Sequence, residues 1–334
     1  MIDSQSTGGA QRAGATHRTD SFIPIDTARL RADEDIPFDI YVRSGAHYIL
    51  FRGAHHPLTF DDLKGFKTRG MAQFFVDMRD KKRLARYFEQ ELAVRLKDPR
   101  LPLDEKASFF MEASRIIMDD LFTHPESPET LATVRNLVEQ TVGFISTGRQ
   151  AFRSVIRLCS HDYYTYTHTL HVEVYSIALA KQLNLSANFT QKLGEGALLH
   201  DIGKALVPPE ILTKPGPLTP AEWQVMKQHP QLGIDLLSAQ GPMDEIAKWA
   251  IIGHHERIDG KGYPYGLQKD EVALPGRIVA ISDIYDALTT NRSYHAAARS
   301  FEALAVIKEH MLGGVDPDLF RELVILLANN AQEW

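Results

Sequence analysis

The sequence contains a single cysteine and no long hydrophobic run. Cys159 is the only thiol among 334 residues, which excludes an intrachain disulfide framework and fits a reducing cytoplasm. Because this cysteine lies in an apolar segment, we expect its side chain in a core. No run of about 18 apolar residues occurs, so we expect no membrane insertion. Residues 1–21 are polar and lack the apolar stretch of a secretory signal, so we expect a disordered tail there.

The chain also lacks an excess of positive charge. Its 37 basic and 43 acidic side chains give a net charge of −6, which argues against general binding of nucleic-acid polymers. A small anionic substrate stays compatible with this charge, because bound metal ions reverse the local sign. The hydrophobic content of 44% and charged content of 24% are typical of globular proteins, and the length suffices for two domains.

Residues 22–96 combine strand and helix patterns, which predicts a small mixed α/β domain. We expect four elements: a hairpin over 38–51, a helix over 59–68 capped by Thr59 and Asp62, a strand over 74–76 and a helix over 83–96. The strand before Asp77 resembles the phosphoacceptor strand of a receiver domain, but the other acidic and lysine positions of a receiver are missing. His55 and His56 are expected in a loop. With no ligand cluster, this domain is expected to be regulatory.

Residues 97–147 are expected to form a linker, over 97–103, and then a helical connector. Ser127 followed by Pro128 predicts a helix start. The connector carries more apolar residues at helical spacing than water exposure would need: Phe109, Phe110, Ile116, Ile117 and Leu121. They are expected either to support a homodimer or to pack within the chain. A fragment that starts near residue 104 is expected to keep metals and activity.

The second half of the chain holds seven potential metal ligands. Imidazole and carboxylate groups suit divalent iron, manganese, zinc, cobalt or nickel. A carboxylate can bridge two cations, whereas an imidazole normally does not, so Asp201 is the expected bridge. One cation is expected among His168, His200, Asp201 and Asp283. The other is expected among Asp201, His229, His254 and His255. Two cations about 3.5–4 Å apart suit in-line displacement at phosphorus.

The motifs that carry these ligands resemble the HD-GYP family, a subgroup of the HD phosphohydrolases, over residues 148–334. Residues 199–204 read Leu-His-Asp-Ile-Gly-Lys, and residues 254–264 read His-His-Glu-Arg-Ile-Asp-Gly-Lys-Gly-Tyr-Pro. Further matches are residues 208–218, 229–230, 283–288 and 291–294. The resemblance implies an α+β protein whose catalytic domain is all-α and holds two or three metals, commonly iron or manganese. It also implies a phosphodiesterase that hydrolyses cyclic di-GMP to linear pGpG, and further to GMP in some members.

Other residues of these motifs are assigned roles around a phosphodiester. Lys204 and Arg292 are expected to neutralise phosphate oxygens. Tyr263 is expected to touch substrate, or a partner such as a diguanylate cyclase through the Gly-Tyr-Pro loop. Asp286 is expected near the substrate, where it can orient a ligand histidine or a water.

The sequence departs from the family pattern at two positions. Tyr164 stands where some members have a glutamate that holds a third metal, so we expect two cations. His295 stands where many members have Arg or Lys, which puts one phosphate contact in doubt. His171 is expected to be a neighbour and not a ligand. Two alternatives stay open: a weakly catalytic adaptor that binds the nucleotide or a diguanylate cyclase, and a hydrolase of another cyclic dinucleotide such as a mixed one.

Overall fold

The computed structural model describes residues 21–159, 165–290 and 300–330. It divides into two compact units, the first ending at Leu84 and the second beginning at Ala85. The expected α+β class is confirmed, because one small sheet precedes a large set of helices. Within these ranges, no helix combines the length and apolar character that a membrane span requires. The expectations for residues 1–20, Tyr164, Arg292 and His295 and for the side chain of Cys159 lie outside the described residues.

The first unit contains a four-stranded antiparallel sheet in the order β1-β4-β2-β3. Its elements are β1 (Phe22–Asp26), β2 (Ile40–Ser44), β3 (His47–Arg52), α1 (Phe60–Thr68) and β4 (Gln73–Asp77). The predicted hairpin, capped helix and following strand are confirmed. Thr59 Oγ1 accepts from the N–H of Asp62 at 3.1 Å, and Asp62 Oδ2 accepts from the N–H of Thr59 at 2.8 Å, which closes the capping box.

Strand β1 has no counterpart in the sequence-based prediction. It is only five residues long and has Pro24 at its centre. Proline lacks the N–H that a sheet ladder needs, so it is tolerated in an edge strand. β1 is such a strand, since it pairs only with β4.

The second unit is helical. Its long helices are α2 (Lys81–Lys97), shared with the first unit, α3 (Leu103–Thr123), α4 (Pro128–Ser146), α5 (Arg149–Cys159), α6 (Thr165–Gln182) and α7 (Ala187–Leu198). Then follow α8 (Pro209–Leu212), α9 (Pro220–Met226), α10 (His229–Ser238), α11 (Glu245–Ile252), α12 (Leu274–Thr289), α13 (Ser300–Val306) and α14 (Pro317–Asn330). The predicted break after residue 97 is confirmed. Ser127 caps α4, and Pro128 occupies its first turn, as predicted.

The apolar residues of α3 are buried within this unit. All five that the sequence singles out are at most 3% exposed: Phe109, Phe110, Ile116, Ile117 and Leu121. α3 packs against α4, α5 and α6. These five side chains therefore pack within the chain, which is one of the two expectations. Because they are buried, they offer no surface for a homodimer.

Close helix packing brings the elements of the second unit together. A Cβ on Gly196 of α7 would lie 2.5 Å from the Cβ of Ala250 in α11. A Cβ on Gly203 would lie 2.0 Å from the carbonyl oxygen of His229. Both distances are far inside van der Waals contact, so only glycine lets these backbones approach. The segment after α7 is thus held against the start of α10.

Candidate metal centre

Five helical elements deliver the seven predicted ligands to one place. His168 lies in α6 and Asp283 in α12, while His229 is the first residue of α10. The remaining four follow helix ends: His200 and Asp201 after α7, and His254 and His255 after α11. Within the described residues, the seven side chains form two groups. Inside each group, the potential ligand atoms all lie within 4.8 Å of one another. One group is His168, His200 and Asp283; the other is Asp201, His229, His254 and His255.

Asp201 lies between the two groups. Its Oδ2 is 3.4 Å from His200 Nε2 and 3.9 Å from His168 Nε2. Its Oδ1 is 3.3 Å from His229 Nε2 and 3.9 Å from His254 Nε2. One carboxylate oxygen therefore faces each group, which is the arrangement that the sequence predicts for a bridging ligand.

Backbone carbonyls orient three of the imidazoles in the same way. The Nδ1 atoms of His200, His229 and His254 lie 2.7, 2.8 and 2.6 Å from the carbonyl oxygens three residues earlier in the chain. A carbonyl can only accept, so each Nδ1 carries the proton and each Nε2 keeps its lone pair. This tautomer presents Nε2 to the ligand groups. The sequence prediction missed these contacts, because they depend on the path of the backbone at the helix ends.

Carboxylates surround His168 on both sides of its ring. Its Nδ1 is 2.6 Å from Asp286 Oδ2, and its Nε2 is 3.2 Å from Asp283 Oδ1. The other oxygen of Asp286 accepts from His171 Nδ1 at 2.6 Å and from Thr290 Oγ1 at 3.0 Å. Asp286 is 1% exposed. Its oxygens are thus engaged with histidines, so its position suits orienting His168 and not touching a substrate. His171 stays outside both groups, as expected.

Two atoms of the centre are buried without a hydrogen-bond partner: His200 Nε2 and Asp201 Oδ1. Unpaired buried polar atoms are rare because their desolvation is costly. Each atom points into its own ligand group, where a divalent cation would complete its coordination. The imidazole and carboxylate donors therefore fit two such cations.

Burial keeps three of the histidines neutral. It lowers the pKa of His229 to about 4 and that of His255 to about 3, and the neighbouring imidazoles contribute to both shifts. Burial, with His255 beside it, also holds the pKa of His254 well below its usual value. At neutral pH each of the three rings therefore has one unprotonated nitrogen, which a cation requires.

Two carboxylates and one imidazole of the centre carry charge: Asp201, Asp283 and His168. Burial works against ionisation of Asp201, but Lys204 and His200 hold its pKa well below the usual range. Burial likewise opposes ionisation of Asp283, while the hydrogen bond with His168 lowers its pKa. For His168 itself, burial lowers the pKa, but the contacts with Asp283 and Asp286 outweigh it and raise the value to about 9.

The glycine-rich loop after His255 is folded around one carboxylate. Glu256 is 3% exposed and accepts the N–H groups of Tyr265, Gly266 and Leu267 at 2.6, 3.2 and 3.0 Å. This loop places the ring of Tyr263 on that of His255, with centroids 4.6 Å apart and planes at 29°. The sequence prediction gave Glu256 no role, although a carboxylate before a glycine-rich turn is a recognisable acceptor for loop N–H groups.

Of the predicted phosphate contacts, Lys204 lies at the centre. Its Nζ is 2.6 Å from Asp201 Oδ2, and its side chain is 30% exposed. A cavity of about 360 Å³ lies beside the ligands and is lined by His255, Tyr263 and Asp283, among others. Tyr263 lines this cavity, and its expected contact with substrate or a partner stays a prediction.

Comparisons with known proteins bear on this centre. The family model of the HD domain matches residues 134–319. A cyclic di-GMP phosphodiesterase of Pseudomonas aeruginosa is 34% identical over 230 residues, which cover 67% of this chain and 55% of the relative. A 3'3'-cGAMP-specific phosphodiesterase of Vibrio cholerae is 41% identical over 160 residues, covering 48% of this chain and 35% of the relative. The chain thus spans about half the length of the first relative and about a third of the second.

Among solved structures, an HDG"Y"P protein from Bdellovibrio bacteriovorus is similar in fold. The TM-score is 0.66 at 23% identity, and the match covers 92% of this chain and 99% of that chain. At this identity the likeness concerns the fold alone. The family match, in contrast, covers more than half of the chain and includes every ligand of both groups.

Proposed function

The chain belongs to the HD domain family, as its motifs predict, and on that premise we propose that it is a metal-dependent phosphodiesterase that hydrolyses cyclic di-GMP to linear pGpG. The observation that carries the proposal is the position of Asp201, with one carboxylate oxygen toward each of two ligand groups. Paired divalent cations are a recurrent solution for displacement at phosphorus. The substrate's two phosphodiesters are the anionic groups that such a centre attracts.

The ligand residues have distinct tasks in this proposal. Asp201 and Asp283 supply negative charge, and the neutral imidazoles of His229, His254 and His255 supply lone pairs. Iron or manganese is the proposed pair of ions, since both accept this mixed ligand set. When bound, two cations of this kind lower the pKa of water and neutralise phosphoryl oxygens.

Two further side chains act on the substrate directly. The ammonium group of Lys204, beside Asp201, neutralises a non-bridging oxygen as charge develops on the phosphate. Burial, together with Asp201 and Asp283, holds the pKa of Tyr263 well above its usual value. The Tyr263 hydroxyl therefore keeps its proton and can only donate that proton in a hydrogen bond to an anionic substrate.

A mixed cyclic dinucleotide is the second candidate substrate. The relative from Vibrio cholerae named as 3'3'-cGAMP-specific matches at 41% identity, higher than the 34% of the Pseudomonas aeruginosa relative. Cations and lysines bind phosphates and do not distinguish bases. The choice between guanine and adenine must come from groups that contact the base.

Turnover by the metal-loaded protein tests the proposal. Anaerobically purified protein is expected to contain about two cations per chain and to hydrolyse cyclic di-GMP faster than 3'3'-cGAMP or cyclic di-AMP. Asp201→Asn keeps the shape of the side chain but removes the shared charge, so both cations and nearly all hydrolysis are expected to be lost. Asp270→Asn, at an exposed position, is the matched control. Protein that holds both cations and binds the nucleotide without turnover would be an adaptor and not an enzyme.

A further inference from the structure

Beside the ligand groups lies the cavity of about 360 Å³ introduced above, which opens onto His255 and Asp283. Small-molecule sites typically measure about 300–1,000 Å³, so this cavity is near the lower limit. It suits one half of a dinucleotide better than the whole. Trp223 of α9, Met311 and Val315 also form its walls. These three residues are not candidate ligands, and neither the motifs nor the proposed chemistry assigns them a task.

Trp223 presents a large aromatic surface to this cavity. The residue is 44% exposed, so part of its indole is accessible to a ligand. Tyr263, the neighbouring aromatic, has one face covered by His255. The indole and the phenol rings are 6.2 Å apart at 79°, so together they form a corner. A planar group stacked on Trp223 would turn its edge toward Tyr263.

The short helix that carries Trp223 is held in place independently of any ligand. Thr219 and Glu222 close a capping box at its start. Lys214 Nζ also lies 2.6 Å from Glu222 Oε2, which ties the preceding loop to the helix. Contacts within the protein therefore fix the position of α9 before a ligand arrives, and preorganised elements bind with a smaller entropic loss.

The remaining lining of the cavity matches a nucleotide. Lys227 and Lys261 are among its lining residues, and their positive charge favours an anion. Met311 adds a polarisable thioether to the lining, and it ends a π-helical turn, Ile307–Met311, a geometry that is frequent at functional sites. An aromatic face, an apolar wall and nearby cations are the combination that seats a base and its phosphate.

We propose that this cavity seats one purine base of the substrate, stacked on the indole of Trp223, with its ribose and phosphate directed to the ligand groups. The inference rests on the proposed function, which it deepens by naming the residue that binds the base. Stacking is tolerant of sequence because every base has a π-face, so Trp223 supplies affinity for guanine and adenine alike. Trp223 is thus a substrate-binding residue that needs no part in proton transfer.

The test compares GMP with ribose 5-phosphate on the metal-loaded chain of residues 1–334. The two probes share a sugar phosphate and differ by the base. By titration calorimetry, GMP is expected to bind roughly 5- to 150-fold more tightly, the range that one stacked base contributes. Trp223→Ala should remove this preference and leave the affinity for ribose 5-phosphate unchanged. Trp223→Phe should keep most of it, and Phe301→Ala, which removes an aromatic side chain that is 82% exposed and outside the cavity lining, should keep all of it.

Three results would overturn the inference. The first is equal affinity of the unaltered protein for both probes. The second is a preference for GMP that survives Trp223→Ala. The third is an equal loss for both probes, which would mean that Trp223 supports the helix and not the base. None of these measurements requires hydrolysis, so failure of the proposed activity would show separately, as absent turnover of cyclic dinucleotides by protein that still prefers GMP.

Discussion

At the scale of single residues, Lys204 and Asp201 contact each other, but substitutions of the two are expected to have different effects on metal binding. Lys204→Ala should leave the cations in place, because no ligand is removed. Hydrolysis should fall by the equivalent of about 2.7–4 kcal/mol, as for loss of one donor to a developing anion. Metal analysis and kcat/KM measured on the same preparation check this. Lys248→Ala, at an exposed lysine, serves as the control, and loss of metal from the Lys204 variant would contradict the assignment.

Asp286 is expected to act through His168. Asp286→Asn keeps the size of the side chain but weakens the hydrogen bond that orients the imidazole. Loss of such an outer partner typically lowers metal affinity about 10- to 100-fold. The loss should be confined to the group that contains His168, which a competitive titration with a chelator resolves as one weakened cation of two. Equal weakening of both cations would instead indicate a general disturbance of the fold.

The two ligand groups should also differ in their dependence on pH. The contacts with Asp283 and Asp286 raise the pKa of His168 to about 9, so at pH 7 its Nε2 carries a proton that a cation must displace. Those of His229 and His255 are lowered to about 4 and 3, so these rings are already unprotonated. Affinity at the His168 group should therefore fall as pH decreases below about 9, while the other group stays constant down to about pH 5. Calorimetry in buffers of different ionisation enthalpy should detect about one proton released per chain at pH 7; absence of release would refute this.

At the scale of elements, the sequence predicted what local patterns encode. The hairpin, the capped helix at Thr59 and the start of α4 at Ser127 all follow from short motifs. Strand β1 was missed because Pro24 hides an edge strand that only tertiary pairing creates. The convergence of the seven candidate ligands was predicted because they occur in a recognisable order along the chain. The loop contacts of Glu256 were not predicted, because three N–H groups converge on its carboxylate only after the loop has folded.

Two helix glycines provide a matched test of packing. Gly196→Ala would drive a methyl group to within 2.5 Å of Ala250, so unfolding free energy should fall by about 1–3 kcal/mol. Gly143 is an exposed glycine inside α4 with no atom near its hypothetical Cβ. Gly143→Ala should raise the unfolding free energy by about 0.4–1 kcal/mol through a less flexible unfolded chain. Denaturant titration measures the unfolding free energy of both variants. An equal change in the two variants would show that α7 and α11 can separate without cost.

At the scale of the whole molecule, the sequence predicted a domain edge near residue 97 and gave no signal for the division after Leu84. Helix α2 is continuous across the division at Leu84, so no turn or composition change marks it. Its second half packs against α3: Phe88 stacks on Phe109 with centroids 5.4 Å apart, and the Arg95 guanidinium lies 4.1 Å from the same ring. A fragment that starts near residue 104, as the sequence suggests, would expose Phe109.

The catalytic fragment should therefore begin at Lys81, the first residue of α2. Residues 81–334 contain both ligand groups, and the described part of the first unit contains no such group. This fragment is expected to fold, hold both cations and hydrolyse the substrate, while residues 104–334 should be less stable by several kcal/mol because large buried aromatic contacts are lost. Circular dichroism melting and metal analysis compare the two. A well-folded, metal-loaded 81–334 fragment without activity would mean that the first unit contributes to catalysis.

The carbonyl contacts of His200, His229 and His254 have a consequence for the kinetics of metal uptake. Because the backbone fixes ring orientation and tautomer, these side chains lose their rotamer freedom when the chain folds and not when an ion arrives. An entering ion then has little protein rearrangement to wait for. We expect the speed of loading at this part of the centre to follow how readily each ion releases its own water molecules, so that different metals should load at different rates into an unchanged protein.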